Sequence, residues 1–296
     1  MKKKRRSSFQ GMKINPSRYH PSQVPFYGFL IPFSMLMLLP IIFIFNHAFK
    51  PIGELFAYPP RFFVRQPTFD NFIELGRITS SSGVPFSRYI VNSLLVTIIG
   101  VSLAILITGL AAYGLSKLKF KGKKVLFEIN TIALMFVPIA VQIPRYLIIA
   151  QSGIIDTYLA HILPLVILPV AMFLLKQFID QTPNELIESA KIDGASEMEI
   201  FFKIIFPIIL PAIATVGILS FQVFWNDTAT SILYINDESR RTLAFFMMSL
   251  TSMQGNTVAG QGMAAAASLI MFIPNLALFV FLQSRVMNTM AHSGIK

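Results

Sequence analysis

The chain has 296 residues, 54% of them hydrophobic and only 13% charged, with 28 Phe and a mean hydropathy of +0.64, a balance that excludes an ordinary soluble domain and makes the bilayer the expected solvent. A formal net charge of +11 would also suit nucleic acid, so the placement of the basic residues has to decide between the two. No cysteine is present, which excludes disulfides and thiolate metal sites.

A basic tail, residues 1–25, opens the chain with "MKKKRR". The apolar run 26–49 that follows has 24 residues, well beyond the roughly 7 to 15 of a cleavable signal core, and no small-residue cleavage pattern succeeds it. It is expected to remain as a first span. A helix rises about 1.5 Å per residue, so roughly 20 apolar residues cross a hydrocarbon core of about 30 Å. Six stretches have that length: 26–49, 89–116, 125–150, 158–178, 200–225 and 262–282. They predict an all-α integral membrane protein with a six-helix transmembrane domain over 26–286 and a short tail over 287–296.

With both termini cytoplasmic, 17 of the 25 Lys and Arg lie on the cytoplasmic side, while the 14 acidic residues divide evenly. Positive-inside bias therefore predicts both ends inside, and no nucleic-acid partner is needed to account for the charge. Two sizeable outer loops result, 50–88 and 226–261, expected to pack on each other or to receive a partner. Prolines 138, 144, 164, 169, 207, 211 and 274 fall within the spans and predict bent helices whose freed carbonyls are satisfied by neighbours or a cavity. Gly100, Ala104, Ala264 and Ser268 are small enough for close helix contact.

The stretch 185–203 concentrates seven charges in nineteen residues and must lie outside the bilayer, since each would cost about 2.5 kcal/mol to insert. In "TPNE", Thr182 is placed as N-cap, Pro183 at the first helical position and Glu185 where a capping box wants an acid. The helix should stop at Asp193 and Gly194, where glycine accepts a left-handed backbone. "SEME" repeats the device with Ser196 and Glu199, so a second helix should run from Glu197 into the fifth span. On the first helix Ile187, Ala190 and Lys191 share one face and Glu188 and Ile192 another, so apolar positions surround it with no protein core expected above. Such a helix reads as one that docks into a partner.

Glu188, Ser189, Ala190, then Gly194, Ile204, Phe206 and Pro207 match the spacing of the EAA loop of ABC importer permeases, with Ser189 in place of the usual alanine and Phe206 of the usual leucine. Together with "NSLLVT", "YGLSKLKFKGK", "SGIIDTYLAHILP" and "FWNDTATSILYI", this resembles the shorter, six-helix subunit of the maltose-type carbohydrate-importer permeases, over most of the chain. The resemblance implies an ABC type I importer permease fold in a bacterial or archaeal inner membrane. It implies as partners a second permease subunit, a cytoplasmic ATPase dimer and an extracytoplasmic solute-binding protein. No Gly-x4-Gly-Lys-Ser/Thr pattern occurs, so no cofactor is expected in this chain, with ATP and Mg bound by the partner ATPase. The resemblance also implies ATPase-coupling roles at Glu188, Ala190 and Gly194, within a loop of about 182–204.

An importer of a non-sugar solute and an ion-coupled secondary transporter are the competing readings. The second wants intramembrane acids or histidines, and the spans offer only Glu128 and Arg145 at edges and a lone His161. An intramembrane enzyme finds no support, since His20, His47, His161 and His292 are scattered and no serine sits in a nucleophile elbow. Candidate substrate-path residues combine an aromatic platform with amides: Trp225, Gln142, Asn226 and Asn275. Their bland alternatives are an interfacial anchor and interhelical hydrogen bonds.

Overall fold

The computed structural model describes residues 23–81, 83–254 and 257–293, and among these no strand occurs. The elements are α1 (Val24–Ala48), α2 (Ile52–Leu55), α3 (Asp70–Ser81), α4 (Phe86–Lys117), α5 (Lys123–Ala133), a 3-10 turn (Pro138–Val141), α6 (Gln142–Gln151), α7 (Tyr158–Val166), α8 (Pro169–Asp180) and α9 (Asn184–Ile192). They continue with α10 (Glu197–Ile200), a π-turn (Phe201–Ile205), α11 (Phe206–Ile208), α12 (Leu210–Trp225), α13 (Ala229–Tyr234), a 3-10 turn (Glu238–Arg240), α14 (Leu243–Gln254) and α15 (Val258–Ser293). The basic tail up to residue 22 and the last three residues lie outside the described residues.

Three described helices are long and apolar enough to cross a membrane: α1, α4 and the Gly260–Gln283 part of α15. Two more crossings result if each bent pair counts as one, α7 with α8 at 48° and Glu197–Ile208 with α12 at 85°. The expected span 125–150 is not one continuous helix. Pro138 has no N–H to give and holds Val137 in extended backbone (φ −74°, ψ 129°), so α5 ends at Ala133 and the chain re-enters helix only at Gln142. The fifth span likewise departs from a single rod. It turns at Ile209, between Pro207 and Pro211, after a π-turn in which Phe206 N–H reaches back to the Phe201 carbonyl.

α4 is the central helix, packed by α7, α8, α12 and α14, whereas α1 runs along α15 and exposes nearly all its apolar surface. One core, around Leu175, Ile179, Ile200, Phe201, Ile205 and Val216, joins α4, α8 and the 200–216 segment. A second, with Leu75, Tyr89, Trp225, Leu243 and Leu250, joins the 50–88 and 226–261 segments, which pack on each other. The small-residue expectation holds at Gly100, where an added Cβ would lie 2.5 Å from the Phe224 ring, and at Ala104, 1% exposed in the same cluster. His161 is fully buried, with Nδ1 2.7 Å from Thr230 Oγ1 and Nε2 3.1 Å from the Arg240 carbonyl, a packed histidine with both ring nitrogens partnered.

Candidate functional site

The charged loop is a helix, a turn and a helix. Helix α9 stops in a Schellman motif: Ala195 N–H donates to the Ala190 carbonyl (2.9 Å) and Gly194 N–H to the Lys191 carbonyl (3.1 Å), with Gly194 at φ +83°. Two of the three expected coupling residues thus build the turn through their backbones. Ser196 then caps α10 as expected, with Glu199 N–H 3.3 Å from its Oγ and its own N–H 3.0 Å from Glu199 Oε2.

The start of α9 differs from expectation. Thr182 is not its cap: the cap position is Pro183, and Thr182 Oγ1 is buried without a hydrogen-bond partner. Lys117, the last residue of α4, ties this end down instead, donating from Nζ to the Thr182 carbonyl (2.6 Å) and Asn184 Oδ1 (2.8 Å). The ammonium anchors the backbone at this end but, having no acceptor, it leaves the first-turn N–H groups without the partner that a hydroxyl cap would give.

Nor is α9 free on all sides. Ile187 is 6% exposed and, with Ala190 beside it, packs on the core around Phe201, so one face belongs to the protein's own interior. The opposite side is open: Ile192 is 86% and Leu186 44% exposed, and Glu188 is exposed without an ion pair among the described residues. The two helices are clamped by Lys191 Nζ on Glu197 Oε1 at 2.6 Å. The same carboxylate accepts from Tyr113 Oη on α4 at 2.6 Å, a link that sequence reading missed.

A second feature is a cleft of about 570 Å³ between α1, α12, α14 and α15. Asn226 and Asn275 both line it, beside Met247, Thr251 and Ser268. Asn275 Nδ2 donates to the Met271 carbonyl (3.0 Å), while its Oδ1 is buried with no partner. Asn226 Nδ2 is engaged with Gln222 (2.9 Å to O, 3.0 Å to Oε1). Trp225 is not in this cleft; it is 2% exposed, stacked on Phe221, and its indole N–H donates to the Met271 carbonyl at 3.0 Å. Gln142 heads α6, half-buried and apart from the other three. The methionines and hydroxyls were missed because nothing in sequence separates a cleft lining from a lipid-facing turn.

Comparison with known proteins assigns this architecture. The chain is 31% identical over 269 residues to the polygalacturonan/rhamnogalacturonan transport system permease protein YtcP of Bacillus subtilis, covering 87% of this chain and 92% of that one. It is 28% identical over 271 residues to the arabinooligosaccharides transport system permease protein AraQ of the same organism, covering 90% and 94%. Its fold is similar to that of a chain in the crystal structure of a bacterial ABC transporter involved in the import of the acidic polysaccharide alginate, with a TM-score of 0.77 at 19% identity over 90% of this chain and 98% of that one. The model of the binding-protein-dependent transport system inner membrane component family matches residues 100–284, more than half of the chain, from within α4 to within α15, and the protein belongs to that family.

Proposed function

We propose that the chain is one of two permease subunits of an ATP-driven importer of sugars, most suitably oligosaccharides, and that its 182–204 loop couples a cytoplasmic ATPase dimer to the transport path. The solutes for which its relatives are named support the solute class. As a family member the protein is a non-catalytic membrane component, so ATP and Mg belong to the partner ATPase, and solute is delivered by an extracytoplasmic binding protein. In this reading α5 and α6 together make the third of six crossings, and both termini are cytoplasmic.

The observation that carries the coupling role is the two-sided character of α9. Its inner face is anchored on Phe201 and its neighbours, while Leu186, Glu188 and Ile192 stand exposed at the end of a charged loop that cannot enter the bilayer. An ATPase groove that grips the outer face and moves would drag the inner face, and through the Gly194 turn it would displace α10 and the π-turn against α4. The cleft beside Asn226 and Asn275 would then alternate between the two sides, and the opening would uncover the buried, unpartnered Asn275 oxygen for a sugar hydroxyl.

Uptake of labelled oligosaccharide into proteoliposomes containing both permeases, the ATPase and the binding protein tests this. Gly194 at φ +83° has no atom within 4 Å of an added Cβ, so substitution strains the backbone and nothing else. A β-branched residue in that region costs roughly 1–2 kcal/mol or more, whereas asparagine tolerates it. Gly194→Val should therefore abolish ATP-driven uptake at equal membrane abundance, and Gly194→Asn should retain most of it. Equal, undiminished uptake by both variants, or uptake that follows an ion gradient without ATP, removes the coupling role.

A further inference from the structure

Between the inner end of α4 and helix α5 the chain carries five lysines and one acid, Glu128, over residues 117–128. Lys117 and Lys123 are used structurally; Lys123 Nζ donates to the Ser116 (2.7 Å) and Leu118 (3.2 Å) carbonyls and pairs with no carboxylate among the described residues. Lys119 and Lys121 are exposed with no ion pair among the described residues, and Lys124, its side chain 91% exposed, reaches Glu128 only at 3.8 Å. Such a density of unneutralised charge at the end of a spanning helix calls for an anion.

Beside these lysines lies a cleft of about 520 Å³ with two chemistries. Leu115, Phe120, Val125 and Phe127 give it an apolar lining, while Lys123, Lys124 and Lys176 contribute ammonium groups. Lys176 is held 4.5 Å from the centre of the Phe127 ring and paired with Asp180 at 2.6 Å, which fixes the wall between α5 and α8. A free phosphate would satisfy the charge and leave the apolar lining exposed; a neutral lipid would do the reverse. Only an amphiphile with an anionic head matches both.

We infer that this cleft between α4, the 118–122 loop and α5 binds one anionic phospholipid, with an acyl chain against Leu115, Phe120, Val125 and Phe127 and the phosphodiester head at Lys124 on the cleft wall, within reach of the exposed Lys119 and Lys121 on the adjoining loop. The site adjoins a second cleft that Lys119, Phe120 and Lys123 share with Glu188 and Lys191 of α9, and lipid retention by the chain without an ATPase reads it apart from the coupling role. Basic residues at a membrane surface each favour anionic lipid measurably, so three acting together give a preference of at least about tenfold over a zwitterionic lipid.

Native mass spectrometry of the full-length chain released from micelles with equal mole fractions of phosphatidylglycerol and phosphatidylcholine reads this directly. The expected result is one phosphatidylglycerol retained per chain with at least about tenfold preference. The preference should be lost in Lys119→Gln/Lys121→Gln/Lys124→Gln and kept in Lys203→Gln, whose lysine lies elsewhere on Glu199. Phe120→Ser, which keeps every lysine, should also weaken retention. Equal retention of the two lipids, an unchanged preference in the triple variant, or displacement by millimolar glycerol 3-phosphate would each overturn the assignment, the last by showing that free phosphate is enough.

Discussion

A missing methyl group at residue 100 lets α4 and α12 touch. The Phe224 ring sits where a side chain on Gly100 would be, with ring carbons 2.5, 2.6 and 2.7 Å from an added Cβ, and Phe224 is itself 2% exposed among Val96, Ala104, Ile162 and Val166. The ring has no solvent side to swing into, so Gly100→Ala should destabilise by about 1–3 kcal/mol, as overpacking of a tight core does. The thermal unfolding midpoint in detergent should fall, and Gly100→Ala with Phe224→Leu should recover part of the loss; an unchanged midpoint in the single variant would contradict the packing. That small residues line a helix contact was legible in sequence, since only backbone proximity requires them. Which aromatic fills the gap was not, because Phe224 is one of 28 phenylalanines and the pairing spans more than a hundred positions. Thr182 shows the opposite failure: local grammar was clear, yet its hydroxyl is buried without a partner and the helix begins uncapped after Pro183, its end anchored by the distant Lys117.

At the scale of elements, Glu197 is where three helices meet. Its carboxylate accepts from Tyr113 on α4 and pairs with Lys191 on α9 while heading α10. The half-exposed Lys191 pair contributes at most about 1 kcal/mol, so the Tyr113 hydrogen bond to the charged carboxylate is the stronger tie among these helices. If α9 is the element that an ATPase moves, the Tyr113 bond delivers that movement to the central helix in parallel with the Gly194 turn. Tyr113→Phe should then lower ATP-driven uptake several-fold while the assembled complex still hydrolyses ATP. Combining it with Lys191→Met should cost no more than Glu197→Ala, since both remove the same two contacts of one carboxylate. Full uptake by Tyr113→Phe would remove α4 from the coupling route. The Ser196 box and the Gly194 stop were legible because their partners lie within five residues. Tyr113 was hidden within an apolar helix, 84 positions from its acceptor. Proline placement predicted bending, but not that 125–150 would break or that the chain would turn by 85° at Ile209, because the angle depends on which neighbours receive the freed carbonyls.

For the whole molecule, the unequal use of its surfaces bears on orientation. α1 has almost no buried apolar residue along its length, which a chain in water could not sustain, and lipid or a second permease must cover it. Apolar length made the continuous spans α1, α4 and part of α15 legible, but the side on which each loop emerges rests on charge counting alone. The lack of cysteine makes that count testable without background. Tyr58, 95% exposed in the 50–88 loop, and Ile192, 86% exposed at the end of α9, should face opposite sides. In intact cells a membrane-impermeant maleimide should label Tyr58→Cys at once and Ile192→Cys only after permeabilisation. With the ATPase co-expressed, Ile192→Cys should resist labelling even in opened membranes, because the docked partner covers it. Labelling of Ile192→Cys from outside would invert the topology and place the α9 loop out of reach of any ATP-consuming partner. Full labelling in opened membranes with the ATPase bound would keep the orientation and move the docking surface away from α9.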